Sequence, residues 1–292
     1  MTCRILYVVN YLLAAFRLIR LPNCLMVGVA VLLGAYLQTL TPQKPDIYLI
    51  ALAAMFLCAA GNSLNDRLDI APDRINHPER PLPSGDLSLA SANIITLIFS
   101  LLSLICSIAL PFRGTVMIIA MLVALVSYNY YLKRIPIVGN VIVALLGAVA
   151  VVAGALVAGG TIWKLPGVWL PAALAFFLHF AREMTKDMQD TDGDRLAGYA
   201  TMPIAANSRV TLNLAAVSIG LMALLSLAPV YLNWYGKTYT YLVILTVDIP
   251  LLVVLYRLYR NQNESSLRVA NTVFKLGLGF GLLAIYMGGA MN

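Results

Sequence analysis

Apolar runs of about 20 residues, the length a helix needs to cross a bilayer, recur nine times along this chain. They cover 22–38, 47–64, 90–110, 114–132, 138–160, 166–183, 208–230, 238–256 and 269–290. The breaks carry proline, glycine or charge: Pro42 and Pro45, Pro111 to Gly114, Lys133 to Pro136, Gly159 to Pro166, Asn233 to Lys237. Strands of a membrane barrel alternate between apolar and polar positions, and these runs do not. The pattern predicts an all-α polytopic membrane protein with nine transmembrane helices around a central cavity, forming one domain over 1–292. The segment before the first run is interrupted by Arg17 and Arg20 and has no small-residue cleavage site. It reads as an interfacial amphipathic lead-in, not a removed signal peptide.

Composition narrows the class further. With 61% hydrophobic and 11% charged residues and a mean hydropathy of +0.84, the chain could not cover a water-facing surface, and it is too apolar to be disordered. The net charge of +7 matters through its placement. With the N-terminus inside, the inner segments carry fifteen Lys and Arg and the outer ones four, Lys44, Arg113, Lys164 and Lys237. That asymmetry fits an odd number of spans. Cys3, Cys24, Cys58 and Cys106 show no metal-ligand spacing and read as small buried hydrophobes.

The acidic residues are more concentrated still. Ten of the 13 lie in two segments: Asp66, Asp69, Asp73, Glu79 and Asp86 after span 2, and Glu183, Asp187, Asp190, Asp192 and Asp194 after span 6. At roughly 2.5–3.5 kcal/mol for each carboxylate at bilayer depth, they cannot face lipid. An offset of 121 residues superimposes Asn62 on Glu183, Asp66 on Asp187, Asp69 on Asp190, Asp73 on Asp194 and Arg74 on Arg195. Steps of four and three keep the first members on one helical face. Pro72 and Gly193 are expected to end the two helices, so that the last carboxylate of each array returns from a loop. Two such arrays suggest two four-helix halves after span 1, with cytoplasmic motif loops over 65–90 and 184–207.

Oxygen-rich sites of this kind suit Mg²⁺, which keeps one or two carboxylates, waters and phosphate oxygens as ligands. Two such ions on opposite walls could bridge one diphosphate and neutralise the charge that develops as its C–O bond breaks. The rest of the substrate must then occupy an apolar chamber, which describes an isoprenyl diphosphate.

At these residues the chain resembles the UbiA-type intramembrane prenyltransferases. The first signature stands as NDRLDIAPD, Asn65 to Asp73, after Asn62, and runs on into RINHPERPLPSG. The second stands as KDMQDTDGD, Lys186 to Asp194, and YNYYLKRIPIVGN lies between them. The resemblance covers nearly the whole chain, and nine spans is that family's helix count. It implies Mg²⁺-dependent transfer of a polyprenyl group from its diphosphate to an acceptor, with release of pyrophosphate at the cytoplasmic face of the cell membrane. It assigns Asp66, Asp69 and Asp73 to one metal, supported by Asn62 and Asn65, and Asp187, Asp190 and Asp194 to the other. Lys133, Arg134, Arg74 and Lys186 then serve the diphosphate or an acceptor phosphate. Within the family, RINHPERPLPSG with REMTKDMQDTDGDRLAGYATMPI is most similar to the branch that joins a geranylgeranyl group to the hydroxyl of geranylgeranylglyceryl phosphate. An aromatic or quinone-precursor acceptor stays open, because other branches share KDxxDxxGD-like segments.

Several residues have two readings. Tyr128, Tyr130 and Tyr131 can shape the site or simply belong to an interfacial belt; Asn23, Arg20 and Asn140 can reach the cavity or anchor helix ends. His77 is expected in solvated loop, and His179 as a hydrogen-bonded packing residue. Asp248 lies about 13 Å along its helix from Arg257 and Lys275 about 10 Å from Arg268, depths that suit a buried pair. A transporter would place its charges near the midplane, whereas these crowd one surface. No haem, flavin or nucleotide motif appears, no nucleic-acid role is supported, and no obligatory protein partner is evident beside the substrates and membrane lipid.

Overall fold

The computed structural model describes residues 2–39, 44–159 and 167–290, with side chains for 6, 8–39, 44–159 and 167–288. Pro42, Lys164 and Pro166 lie outside the described residues, as do the side chains of Cys3 and Arg4.

Every regular element described is helical. In chain order these are α1 (Thr2–Ile19), α2 (Leu21–Thr39), α3 (Pro45–Leu68), α4 (Ile70–Asn76), α5 (Leu89–Ile108), α6 (Phe112–Tyr130) and, after a 3₁₀ turn at Leu132–Arg134, α7 (Val138–Ala158). Then come α8 (Trp169–Gln189), α9 (Thr191–Leu196), α10 (Met202–Ala205), α11 (Ser208–Tyr231), α12 (Lys237–Val243), α13 (Ile249–Arg260) and α14 (Glu264–Ala290). A π-helical stretch, Ile244–Asp248, joins α12 to α13 as one rod. Among the described residues, eight helices are long and apolar enough to cross a membrane. The expected sixth span falls on α8, which is not among the eight, because its last two turns carry Arg182, Glu183, Lys186 and Asp187.

Small residues decide the tightest seam. Helices α2 and α7 approach until a Cβ added to Gly34 would stand 1.8 Å from the Val151 carbonyl oxygen, and one added to Gly154 1.8 Å from that of Val31. Close backbone approach of this kind is how helices associate where lipid removes the hydrophobic drive. Around the seam, α3 packs on α2 and α5, α8 on α7, α11 and α14, and α13 on α14. The enclosed space is a cavity of about 260 Å³ walled mainly by apolar side chains of α2, α3, α6, α7, α8, α11 and α14.

At one end, α3 and α8 break at the middle carboxylate of each array. Asp69 (φ −100°, ψ 17°) and Asp190 (φ −92°, ψ 4°) leave helical geometry, and the short helices α4 and α9 start immediately. Pro72 and Gly193 therefore do not end helices, contrary to expectation. Each sits in the first turn of a new one, where an N–H has no intrahelical acceptor and proline is tolerated. Asp73 and Asp194 follow on those short helices. The helices touch: Asn76 Nδ2 donates to the Asp190 carbonyl at 2.8 Å, and the Gly193 N–H donates to Asn76 Oδ1 at 2.9 Å. A Cβ at Gly193 would lie 2.5 Å from the Pro72 carbonyl oxygen, so the contact requires glycine.

Helix α1 packs on α3 and α2 at the edge of this bundle. It buries Ala14 and Leu18 against Leu82 and Leu87 of the segment after α4, pairs Arg17 with Asp86, and exposes Leu6, Leu13 and Phe16.

Candidate active site

The two arrays converge on a polar recess above the apolar cavity. Asp69, Asp73, Asp187, Asp190 and Asp194 all line it. Asn65, Tyr128 and Lys186 line both spaces and form the seam between them. Asp66, expected beside its neighbours, sits behind the recess: it is 2% exposed and accepts from Arg20 Nη2 at 2.5 Å, with Arg80 Nη1 at 3.7 Å. Arg20 reaches it from the α1–α2 junction, where its φ of +53° is a left-handed conformation that a non-glycine residue rarely adopts.

Other partners are equally definite. Lys133 Nζ lies 2.5 Å from Asp69 Oδ1, and the Tyr199 hydroxyl donates to the same oxygen at 3.0 Å. Arg80 Nη1 bridges both oxygens of Asp73 at 2.7 and 2.8 Å. Asn65 Nδ2 donates to Asp69 Oδ2 at 2.5 Å, and Asn140 Nδ2 to Asp187 Oδ2 at 2.8 Å. His77 Nε2 lies 2.9 Å from Asp190 Oδ1. Among the described residues no three acidic, His or Cys side chains converge as a ready-made metal shell; five of the six array carboxylates are turned to protein donors instead.

Burial and neighbouring charge pull these groups apart. Burial, with Asp190 and Asp69 nearby, pushes the Asp194 carboxyl up to about 7. Burial also raises Asp73, in spite of Arg80. For Asp190 burial acts upward too, but the His77 hydrogen bond and Lys186 outweigh it and hold the carboxyl below the usual range. The Tyr199 phenol is pushed up to about 12 by burial and by Asp69.

The remaining residues divide. Asn62 lines the cavity and donates to the Ile19 carbonyl at 2.8 Å; Asn23 also lines it. Arg134 stacks on the Tyr199 ring at 5.1 Å. Arg74 is exposed and outside both spaces, because one helical step from buried Asp73 turns it outward. Tyr130 and Tyr131 are likewise exposed. His77 is not in open solvent: its side chain is 15% exposed and spans from Asp190 to Glu79. His179 is not hydrogen-bonded as expected, for its Nδ1 is buried without a partner and its ring packs on Gly147. Asp248 and Lys275 do not pair; Asp248 accepts from Ser226 at 2.9 Å, while Lys275 faces the cavity. Sequence reasoning passed over Arg80, Tyr199 and Asn76 as site residues. Arg80 and Asn76 lie within RINHPERPLPSG and Tyr199 within GYATMPI, the segments adjoining the two motifs.

A family model for the UbiA prenyltransferase family matches residues 27–279. The chain belongs to that family. This UbiA protein is accordingly a prenyltransferase and a multi-pass membrane protein. The digeranylgeranylglyceryl phosphate synthase of Methanosarcina barkeri is 32% identical to it over 286 residues, covering 93% of this chain and 96% of the relative. A solved structure of a digeranylgeranylglyceryl phosphate synthase matches the UbiA chain with TM-score 0.72 and 26% identity, covering 97% of this chain and 99% of the other. A UbiA homologue from Archaeoglobus fulgidus, solved with GPP and Mg²⁺, shares the fold at TM-score 0.67 and 19% identity, with 94% and 99% covered.

Proposed function

We propose that this enzyme transfers a geranylgeranyl group from its diphosphate to the free hydroxyl of geranylgeranylglyceryl phosphate, forming an ether lipid. The C1–O bond of the prenyl diphosphate breaks, pyrophosphate leaves with the electron pair, C1 bonds to the acceptor oxygen, and the hydroxyl proton is lost. The observation that carries this reading is the continuity of two unlike spaces: a carboxylate-lined recess opens through Asn65, Tyr128 and Lys186 into an apolar cavity. The digeranylgeranylglyceryl phosphate synthases named above support this class of acceptor.

The oxygen donors of the recess fit a divalent cation: five carboxylates line one small space, and Asp194, raised chiefly by burial and then by Asp190 and Asp69, has no Lys or Arg in ion-pair contact among the described residues. Asp69, Asp73, Asp187, Asp190 and Asp194 would hold Mg²⁺, with Asp66 as a buried anchor for Arg20 and Arg80. A divalent ion held there would supply charge neutralisation to the diphosphate leaving group. Lys133, Arg80 and Tyr199, now turned to carboxylates, are positioned to take phosphate oxygens, supplying donors where charge develops. The apolar walls hold the prenyl chain and keep water from the allylic cation, and Tyr128 offers its ring at the seam. In this reading α8 is the ninth span, its charged end resting in the recess, the two halves after α2 are repeats, the whole chain is one domain, and the recess opens to the cytoplasm.

Purified protein supplied with geranylgeranyl diphosphate and Mg²⁺, and offered geranylgeranylglyceryl phosphate beside aromatic acids, tests the reading by product mass. Digeranylgeranylglyceryl phosphate is expected. An aromatic product alone overturns the acceptor, and no Mg²⁺-dependent pyrophosphate release overturns the reaction.

A further inference from the structure

Charge inside the cavity is unbalanced. Below the acidic recess the wall carries Arg20, Arg182, Lys186 and Lys275, and among the described residues Glu183 is the one carboxylate there. Arg20 is committed to Asp66. Glu183 is shared between Arg182 Nη1 at 3.1 Å and Lys186 Nζ at 3.7 Å. That leaves Arg182 Nε buried without a partner and Lys275 with no carboxylate beside it. Arg182, Arg20 and Lys186 share the cavity wall with it. Ionisable groups within a membrane span are retained for a specific partner or task, and cations gathered around one space call for an anion.

The position of Lys275 says which anion. Asn271 Nδ2 donates to Gln189 Oε1 at 2.5 Å, which fixes the level of α14 against the end of α8. Lys275 lies one turn deeper, about 6 Å along the axis, between the levels of Lys186 and Arg182. It is on the α14 face that includes Leu278, Leu282 and Ile285, all cavity-lining as Lys275 itself is, and its side chain is exposed, not packed away. The diphosphate has its own donors in the recess, Lys133, Arg80 and Tyr199.

We propose that Arg182 and Lys275 form a separate subsite, beneath the recess, for the phosphate monoester of the acceptor. This rests on the acceptor class proposed above and deepens it: one substrate is held by its diphosphate in the recess and the other by its phosphate at the cavity wall. The two lipids are thereby told apart by where their phosphates dock, and the acceptor hydroxyl is brought to the seam.

Lys275→Met is the primary variant, Arg182→Gln the second, and Lys275→Arg the conservative control. The KM for geranylgeranylglyceryl phosphate should rise about tenfold or more in the first two, the usual scale for losing a charged hydrogen bond, with the KM for geranylgeranyl diphosphate unchanged and Lys275→Arg restoring most of the loss. Wild type should prefer the phosphorylated acceptor over geranylgeranylglycerol, and Lys275→Met should lose that preference. An unchanged preference, or a rise in KM for the diphosphate substrate instead, overturns the subsite. A bilayer phosphodiester is the other source of phosphate at this depth; activity of Lys275→Met that follows anionic lipid content and not acceptor phosphorylation would also overturn it. Equilibrium binding of geranylgeranylglyceryl phosphate without prenyl diphosphate separates the two levels of the argument. If wild type binds it with Lys275-dependent affinity but makes no ether, the reaction assignment fails and the subsite stands; if neither variant weakens binding, the subsite fails alone.

Discussion

The two acidic arrays share a spacing but not an electrostatic setting. In the first, every aspartate lies within ion-pair distance of Lys or Arg: Asp66 with Arg20, Asp69 with Lys133, Asp73 with Arg80. In the second, Asp187 is held by the neutral amide of Asn140, Asp190 by His77, and Asp194 has neither Lys nor Arg in ion-pair contact. The first array is matched by Lys and Arg in direct contact; in the second, Asp190 is held by His77 with Lys186 nearby, and among the described residues Asp187 and Asp194 have no cation in contact. Equal spacing therefore conceals a division of labour. On the proposed function, the second array would have the greater need of a cation, whereas the first would offer Lys133 and Arg80 to the diphosphate.

The sharpest way to break this contrast is to neutralise each array in turn. Asp190→Asn should lower turnover by about 10²–10³, the scale for losing an electrostatic element of the transition state, and should raise the Mg²⁺ concentration for half-maximal rate more than Asp69→Asn does. Equal Mg²⁺ shifts would erase the distinction. Next in size, Lys133→Met and Arg80→Gln should raise the KM for prenyl diphosphate by roughly 10–100-fold with little change in the Mg²⁺ requirement, as expected when charged hydrogen bonds to phosphate are lost.

A smaller, thermodynamic effect concerns Asp194. Its carboxyl is raised from 3.8 to about 7 in the fold, so the folded protein holds that proton more tightly than the unfolded chain does. Without divalent metal, stability should fall as pH rises from about 4 through about 7, and Mg²⁺ should restore more of it at pH 8 than at pH 5; melting temperatures in detergent with and without chelator measure this. Gly193→Ala should lower the melting temperature at every pH, because its Cβ would stand 2.4 Å from Asn76 Nδ2. Smallest of all, Arg74→Gln should stay within about twofold of wild-type rate, as surface changes usually do.

Much of this was legible in the chain. Helix α7 runs 138–158 where the apolar run reads 138–160, since a continuous run bounded by charge and glycine leaves little choice. That both arrays lie at one end of the bundle followed from counting alternate spans. Azimuth was not legible. Depth along two antiparallel helices suggested that Asp248 meets Lys275, but the π-helical stretch at Ile244–Asp248 rotates Asp248 toward Ser226, and hydropathy does not register such a turn. Arg80 and Tyr199 escaped notice because they enter the site from loops, Arg80 by folding back on nearby Asp73 and Tyr199 by reaching Asp69 across a long stretch of chain. Arg74 misled for the converse reason: its adjacency to Asp73 in sequence is separation on a helix.

The glycine-to-carbonyl contacts between α2 and α7 have a bearing on how bulky lipids come and go. That wall has no slack; neither backbone can slide past the other without collision. Helix α14 leans on that wall, its Tyr286 ring 5.1 Å from the Tyr36 ring of α2, yet a side chain added at Gly279 or Gly281 would touch nothing within 4 Å; room for a bulky lipid tail beside the rigid pair lies along the middle of α14.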